Sequence, residues 1–221
     1  MKASIVTHIT TSHPSSDIRI FHKECKSLSK HGIKVNLIAT HHKSECIENI
    51  NIIPLPLCNR RMTRHYFKPL LAFSAALKTR ADLYHFHDPE LIPVGILLKI
   101  FGKKVIYDVH EDLPGQIFHK VWIPSYLKPS FSFIAKMVEF VCSRFFDGVI
   151  AATPYITDIF IKRNKNSVNV NNYPILSEFI NLEKKITIKD NNAICYVGSI
   201  TQARGILQLL EAIQDTDIKL H

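Results

Sequence analysis

The sequence contains no CxxC pair. Its five cysteines, Cys25, Cys46, Cys58, Cys142 and Cys195, are odd in number and scattered. That argues against a disulfide framework or a zinc knuckle and points to a reducing compartment. No stretch of about 18 apolar residues occurs, so no membrane-spanning helix is expected. Met1 to Thr10 lacks a basic segment followed by a long apolar run and reads as a strand, not as a secretory signal. Internal repeats and low-complexity tracts are also missing. These absences give the expectation of a cytoplasmic protein.

The 221 residues are 46% hydrophobic, with a formal charge of +9 and a mean hydropathy of +0.04. Such a composition fits a folded globular chain holding one large domain, or one domain and part of another. The basic surplus points to an anionic partner: a sugar nucleotide, a nucleic acid or an acidic membrane surface. No nucleic-acid-binding module or aromatic-basic repeat appears, so nucleic acid is set aside. The stretch Arg60, Arg61, Arg64, His65, Tyr66 and Lys68 reads either as a peripheral contact with acidic lipids at the inner face of the plasma membrane or as a solvated basic face.

Strand and helix patterns alternate from the first residues. Strands are expected at Ser4–Val6, Val35–Ala39, Ile50–Ile53, Leu83–Phe86, Val105–Val109, Val149–Ala152 and Val168–Val170. Between them, helical spacing links Ile18, Phe21, Cys25 and Leu28, with Ser16 or Asp17 as N-cap and Gly32 as the stop. Further helices are expected through Leu70–Leu77, Pro89–Ile100 and Phe131–Phe146, and after Thr153-Pro154. In the third of these, Phe131, Ile134, Val138, Val141 and Phe145 form one apolar face. Strands this apolar imply an α/β fold: a Rossmann-like, doubly wound parallel sheet covered by helices. The first domain is expected over residues 1–177, a linker over 178–192, and over 193–221 the start of a second domain, one βαβ unit that is not completed.

Ligands of such sheets bind beyond the carboxyl ends of the strands, and four segments there carry chemistry. The first runs from His8 through His13 to Asp17 and Arg19, at a helix N-terminus suited to anions. In His85-Phe86-His87-Asp88, alternation puts both imidazoles on one face, spaced for a metal or for ordinary hydrogen bonding at the core edge. Asp108-Val109-His110-Glu111-Asp112 sets three carboxylates about one imidazole, which suits acid–base chemistry, sugar orientation or metal ligation. Finally, Gly198-Ser199 with Arg204 follows a strand and opens a helix, a geometry able to cradle a diphosphate.

Read jointly, Asp17-Ile18-Arg19, the stretch Asp82 to Leu91, Tyr107 to Asp112 and the Tyr196-Val197-Gly198…Arg204-Gly205-Ile206 segment resemble family 4 glycosyltransferases. The branch making bacterial surface and capsular polysaccharides is the nearest in pattern. The resemblance implies a GT-B fold whose N-terminal domain holds a saccharide or lipid-linked acceptor. The second domain then holds a nucleotide-sugar, which is a substrate and not a cofactor. It also implies retention of anomeric configuration and no essential metal. On it, His110 and Glu111 are the catalytic candidates, with His8, His13, Asp17, Arg19, His87 and Asp88 lining the acceptor cleft. Gly198, Ser199 and Arg204 are the diphosphate candidates, although the family usually carries arginine at the position of Ser199 and lysine at that of Arg204. The family's later acidic motif is missing, so a second polypeptide or a longer chain would complete the donor site. A non-catalytic module binding an acceptor or partner, and a metal-dependent hydrolase using His85, His87, Asp88, His110 and Glu111, remain open at this point.

Overall fold

The structure, a computed structural model, describes residues 4–58, 66–176, 192–198, 200 and 204–221. The chain forms two compact units, Met1–Tyr173 and Pro174–His221. Apart from Asn192, the expected linker over 178–192 lies outside the described residues.

In the first unit the apolar runs become strands β1 (Ile5–Pro14), β2 (Lys34–Thr40), β3 (Glu45–Ile47), β4 (Ile50–Leu55), β5 (Leu83–Phe86), β6 (Lys104–Val109), β7 (Gly148–Ala151) and β8 (Ser167–Asn169). They form one sheet in the order β3-β4-β2-β1-β5-β6-β7-β8. Every neighbouring pair is parallel except β3 with β4. The antiparallel β3 was not expected from sequence. It is three residues long and turns into β4 through Glu48 and Asn49, both at positive φ.

The first helix, α1, is wound in π fashion over Ile18–Cys25 and continues as an α-helix over Lys26–Lys30. Asp17 caps it, its carboxylate accepting from the amides of Arg19 and Ile20 at 2.9 Å each. Gly32, at φ +79, lets the chain turn back beyond its end. Helices α2 (Lys68–Thr79), α3 (Ile92–Ile100, led by a 3-10 turn at Pro89–Leu91), α4 (Leu113–Ile117), α5 (Lys128–Cys142) and α6 (Pro154–Ile161) follow. Thr153 caps α6 through the amide of Ile156, as expected.

Period-two alternation splits the core. Ile9, Ile38, Tyr84, Phe86, Val105, Tyr107 and Val149 pack with residues of α2, α3 and α6 on one face. Val35, Leu37, Ala39, Ile50 and Ile52 pack beneath Ile20, Phe21 and Cys25 of α1 on the other. That second face is covered only in part among the described residues. Ile106 and Ile150 are half-buried, and Val168 is exposed.

Gly95 of α3 sits where a Cβ would lie 2.7 Å from Phe86 Cε1 and 3.0 Å from Phe146 Cε1. Both rings are buried and meet edge to face. Overpacking outweighs the gain in helix propensity, so Gly95→Ala is expected to lose a net stability of about 1–2 kcal/mol in urea unfolding.

Helix α5 differs from expectation. The apolar stripe Phe131, Ile134, Val138, Val141 and Phe145 is exposed, and Glu139 is the buried residue of the helix. Small residues explain this: the buried Glu139 shares its side of the helix with Ala135 and Cys142, and Cys142 packs against the core. Lys68 also departs from the basic-surface reading. It is buried, and its Nζ donates to Thr11 O at 2.6 Å and to Thr40 Oγ1 at 2.5 Å. Arg60, Arg61, Arg64 and His65 lie outside the described residues.

The second unit is a βαβ turn. Strand β9 (Ala193–Ile194) pairs in parallel with β10 (Lys219–Leu220), and α7 (Ile206–Ile213) connects them with no side chain fully buried. No helix among the described residues is long and apolar enough to cross a membrane.

Candidate active site

Parallel register sets His8 of β1 beside His85 of β5, and Phe86 beside Tyr107 of β6. On the α1 face, alternation therefore gathers His8, His85, His87, Asp108 and His110 near the carboxyl ends of three adjacent strands. Arg19 and Glu24 of α1 close over them.

Asp108, with no exposed surface, is the hub. Arg19 donates to it twice, Nε to Oδ2 at 3.1 Å and Nη2 to Oδ1 at 2.9 Å. Its Oδ2 also receives His87 Nδ1 at 3.1 Å and His110 Nε2 at 3.0 Å. A carboxylate only accepts, so both ring nitrogens carry the proton. Burial opposes the charge on Asp108, but the bonds from His110 and His87 hold its carboxyl well below the usual range. Burial pushes Glu24 up to about 10, with the charge of Asp108 adding to it, so Glu24 is the neutral partner of the two. The imidazoles behind them are neutral as well. Burial, then His85 and His87, takes His8 well below its ordinary value. Burial, then His87, takes His85 down to about 3. His87 is likewise lowered by burial, against the pull of Asp108.

A cavity of about 520 Å³ opens beyond these strand ends. Ser12, His13, Asp88, His110, Glu111 and Lys120 are on its wall, with His87 behind. Asp88 is buried, and its Oδ2 accepts from Thr10 Oγ1 at 2.8 Å and from the amides of Thr11 and Ser12 at 2.6 and 3.2 Å. Glu90 accepts from Ser12 Oγ at 2.6 Å. His13 Nδ1 lies 3.2 Å from Asp17, which raises the imidazole pKa. Against the effect of burial, the same bond and the helix amides bring Asp17 down to about 2.

The structure thus brings His13, His87, Asp88, His110 and Glu111 to one cavity. Glu111 is exposed there and accepts from Gln116 Nε2; the group that orients His110 is Asp108. Arg19 is buried behind the wall, and Asp17 acts as a helix cap. His8 has no exposed surface and lines a different groove, of about 640 Å³, together with Glu24 and His85. The hydrolase set is not assembled. His85 lies on that groove, and Asp88 is committed to the carboxyl-terminal end of β1. Sequence reasoning passed over Asp108 as a site residue, although it lay within a segment already singled out. Glu24 and Lys120 carried no strand-end signal.

In the second unit Gly198 and Arg204 are exposed, and a Cβ on Gly198 would lie 3.6 Å from Arg204 Nη1. Ser199 lies outside the described residues.

The profile of Glycosyltransferase Family 4 matches residues 19–170, which include Arg19, His87, Asp108 and His110. The chain belongs to glycosyltransferase family 4. Solved structures similar to this family 4 chain include sucrose-phosphate synthase from Thermosynechococcus elongatus, at 18% identity and TM-score 0.68, covering 98% of this chain and 61% of that one. Anabaena HepE in complex with UDP-glucose shares 13% identity at TM-score 0.61, over 98% and 59% of the two chains. MurG of Acinetobacter baumannii shares 14% at TM-score 0.53, over 99% and 59%. The chain spans about three-fifths of the length of these structures. At such identities the likeness is one of fold, that of a GT-B N-terminal domain with its mostly parallel sheet. Comparison with curated proteins returns no match.

Proposed function

We propose that this chain is the acceptor-side portion of a retaining glycosyltransferase, moving a sugar from a nucleotide-sugar to a polysaccharide or lipid-linked acceptor of a bacterial surface or capsular pathway. The observation that carries this reading is the cavity at the strand ends. In it His110, fixed through Nε2 by the buried Asp108, stands beside His13, Glu111 and Lys120. A neutral or cationic imidazole and a carboxylate there suit the hydroxyls of a sugar. As the leaving diphosphate gains charge, fixed cations and backbone N–H groups lower the barrier, and Arg204 is the cation offered by this chain. Glu111 is the second catalytic candidate. The donor side is completed by a longer chain or a second polypeptide. A location at the inner face of the plasma membrane is supported by the exposed apolar stripe of α5 with Lys136 beside it.

The test is transfer of labelled sugar from a panel of nucleoside diphosphate sugars to saccharide and lipid-diphosphate acceptors, with His110→Ala alongside. Loss of an acid–base or orienting imidazole is expected to lower kcat/KM by about 100-fold or more. Unchanged turnover in His110→Ala, or a product of inverted configuration, overturns the reading. The cavity is lined by residues of the first unit, which favours one second reading, a non-catalytic acceptor-binding module. It predicts saccharide binding by the chain without transfer from any donor.

A further inference from the structure

Behind the cavity, and outside the roles assigned above, lies a second constellation: His8 of β1, His85 and His87 of β5, and Glu24 of α1. One potential donor atom from each lies within 4.8 Å of all the others. His8, His85 and His87 are buried, and Glu24 is nearly so. We propose that these four side chains form a structural site for a divalent transition-metal ion of zinc type, clamping α1 to the centre of the sheet.

Three observations carry this. First, the polar inventory does not close without a further atom. His85 Nε2 and Glu24 Oε2 are buried with no hydrogen-bond partner among the described residues. Buried polar atoms are almost always satisfied, and two orphans in one donor cluster call for a common partner. Second, the donors are correctly aimed. His87 gives its Nδ1 proton to Asp108, which turns the Nε2 lone pair toward His8 Nδ1 at 3.0 Å and Glu24 Oε2 at 3.9 Å. A carboxylate behind one nitrogen of a ligating imidazole is the usual outer-shell arrangement of zinc sites. Glu24 meets the imidazoles through Oε2, at 3.8 Å from His8 Nδ1, while its Oε1 faces Arg19 Nε at 3.1 Å. Third, the ligand chemistry suits the ion. Three imidazoles and one carboxylate are borderline donors of the kind that take Zn²⁺ or Co²⁺ over Mg²⁺ or Ca²⁺. Four protein ligands make a closed, structural site. The groove of about 640 Å³ bordered by His8, Glu24 and His85 supplies an entry path.

The neighbouring group His87, Asp108 and His110 also clusters. It has three donors, and the charge of Asp108 is already matched by Arg19. The proposed site stands independently of sugar transfer, because it concerns how the sheet is held and not what the cavity binds.

The experiment is titration of the metal-stripped chain with Zn²⁺ and Co²⁺, followed by metal analysis, visible spectroscopy and thermal unfolding. One ion per chain is expected, with an intense tetrahedral Co²⁺ spectrum. At a hundredfold excess over Kd the thermal midpoint should rise by about 5–10 °C. Glu24→Gln, which keeps the shape of the side chain, and His85→Ala are each expected to weaken Zn²⁺ binding at least about tenfold. His110→Ala should leave it unchanged. No stoichiometric uptake by the unmutated chain overturns the proposal, whatever the variants do. So does uptake that survives both Glu24→Gln and His85→Ala, or that is lost only in His110→Ala.

Discussion

Asp108→Ala is expected to destabilise the first unit by about 3–5 kcal/mol, the usual cost of removing one partner from a buried ion pair. Asp108 has no exposed surface and receives two bonds from Arg19 and one each from His87 and His110. Truncation leaves the Arg19 guanidinium, itself buried, with the carbonyl of Val170 as its hydrogen-bond acceptor and Glu24 Oε1 3.1 Å from Nε. The His87 Nδ1 proton loses its acceptor at 3.1 Å, and His110 Nε2, at 3.4 Å, is the nearest ring nitrogen left to it. Asp108→Asn keeps the shape and one accepting oxygen, so its loss should be smaller. Urea unfolding of the three chains checks the order, a midpoint shift at constant slope reporting stability alone. An alanine variant within 1 kcal/mol of the unmutated chain would mean that the hub is not formed.

A second large effect concerns Glu139, the buried residue of α5. Its Oε1 is 3.4 Å from the phenol of Tyr107, which is itself fully buried. Burial pushes this carboxyl from 4.5 to about 7, with Arg163 and Tyr107 pulling the other way. A carboxyl raised in the folded state favours folding while it is protonated. Its contribution is therefore complete below about pH 4.5 and is lost as pH climbs through 7. Each unit corresponds to about 1.4 kcal/mol, so the swing amounts to at most about 3 kcal/mol. Glu139→Gln removes it. The variant is expected to match the unmutated chain near pH 4.5 and to exceed it by about 2–3 kcal/mol at pH 8. Unfolding free energies at the two pH values decide the matter; an equal difference at both would show that Glu139 is already ionised without penalty.

Much of the fold could be read because the strands are short apolar runs with capped helices between them. Leu83–Phe86 is placed to the residue, and Asp17 and Thr153 cap as their side-chain chemistry dictates. Alternation alone put His85 and His87 on one face. What escaped depends on partners distant in sequence. Glu24 is five residues beyond Arg19, which on an α-helix places the two about 140° apart. The π winding of Ile18–Cys25 brings them toward one side, and nothing in the local sequence announces it. The stripe of α5 misled for a related reason. Its sheet-facing side is made of small residues and one buried carboxyl, so the larger apolar residues marked the outer face. Lys68 resembled its basic neighbours until the carbonyl of Thr11 and the hydroxyl of Thr40 gave it an interior role.

The carboxyl-terminal end of β1 is tied down by a set of side-chain bonds. Thr10, Thr11 and Ser12 are tied to Asp88 and Glu90, and the Thr11 carbonyl to Lys68. This rim is therefore preorganised: the entropy of ordering it has been lost during folding and is not charged to the ligand. An incoming molecule meets a preformed wall, and discrimination at that side of the cavity rests on its shape.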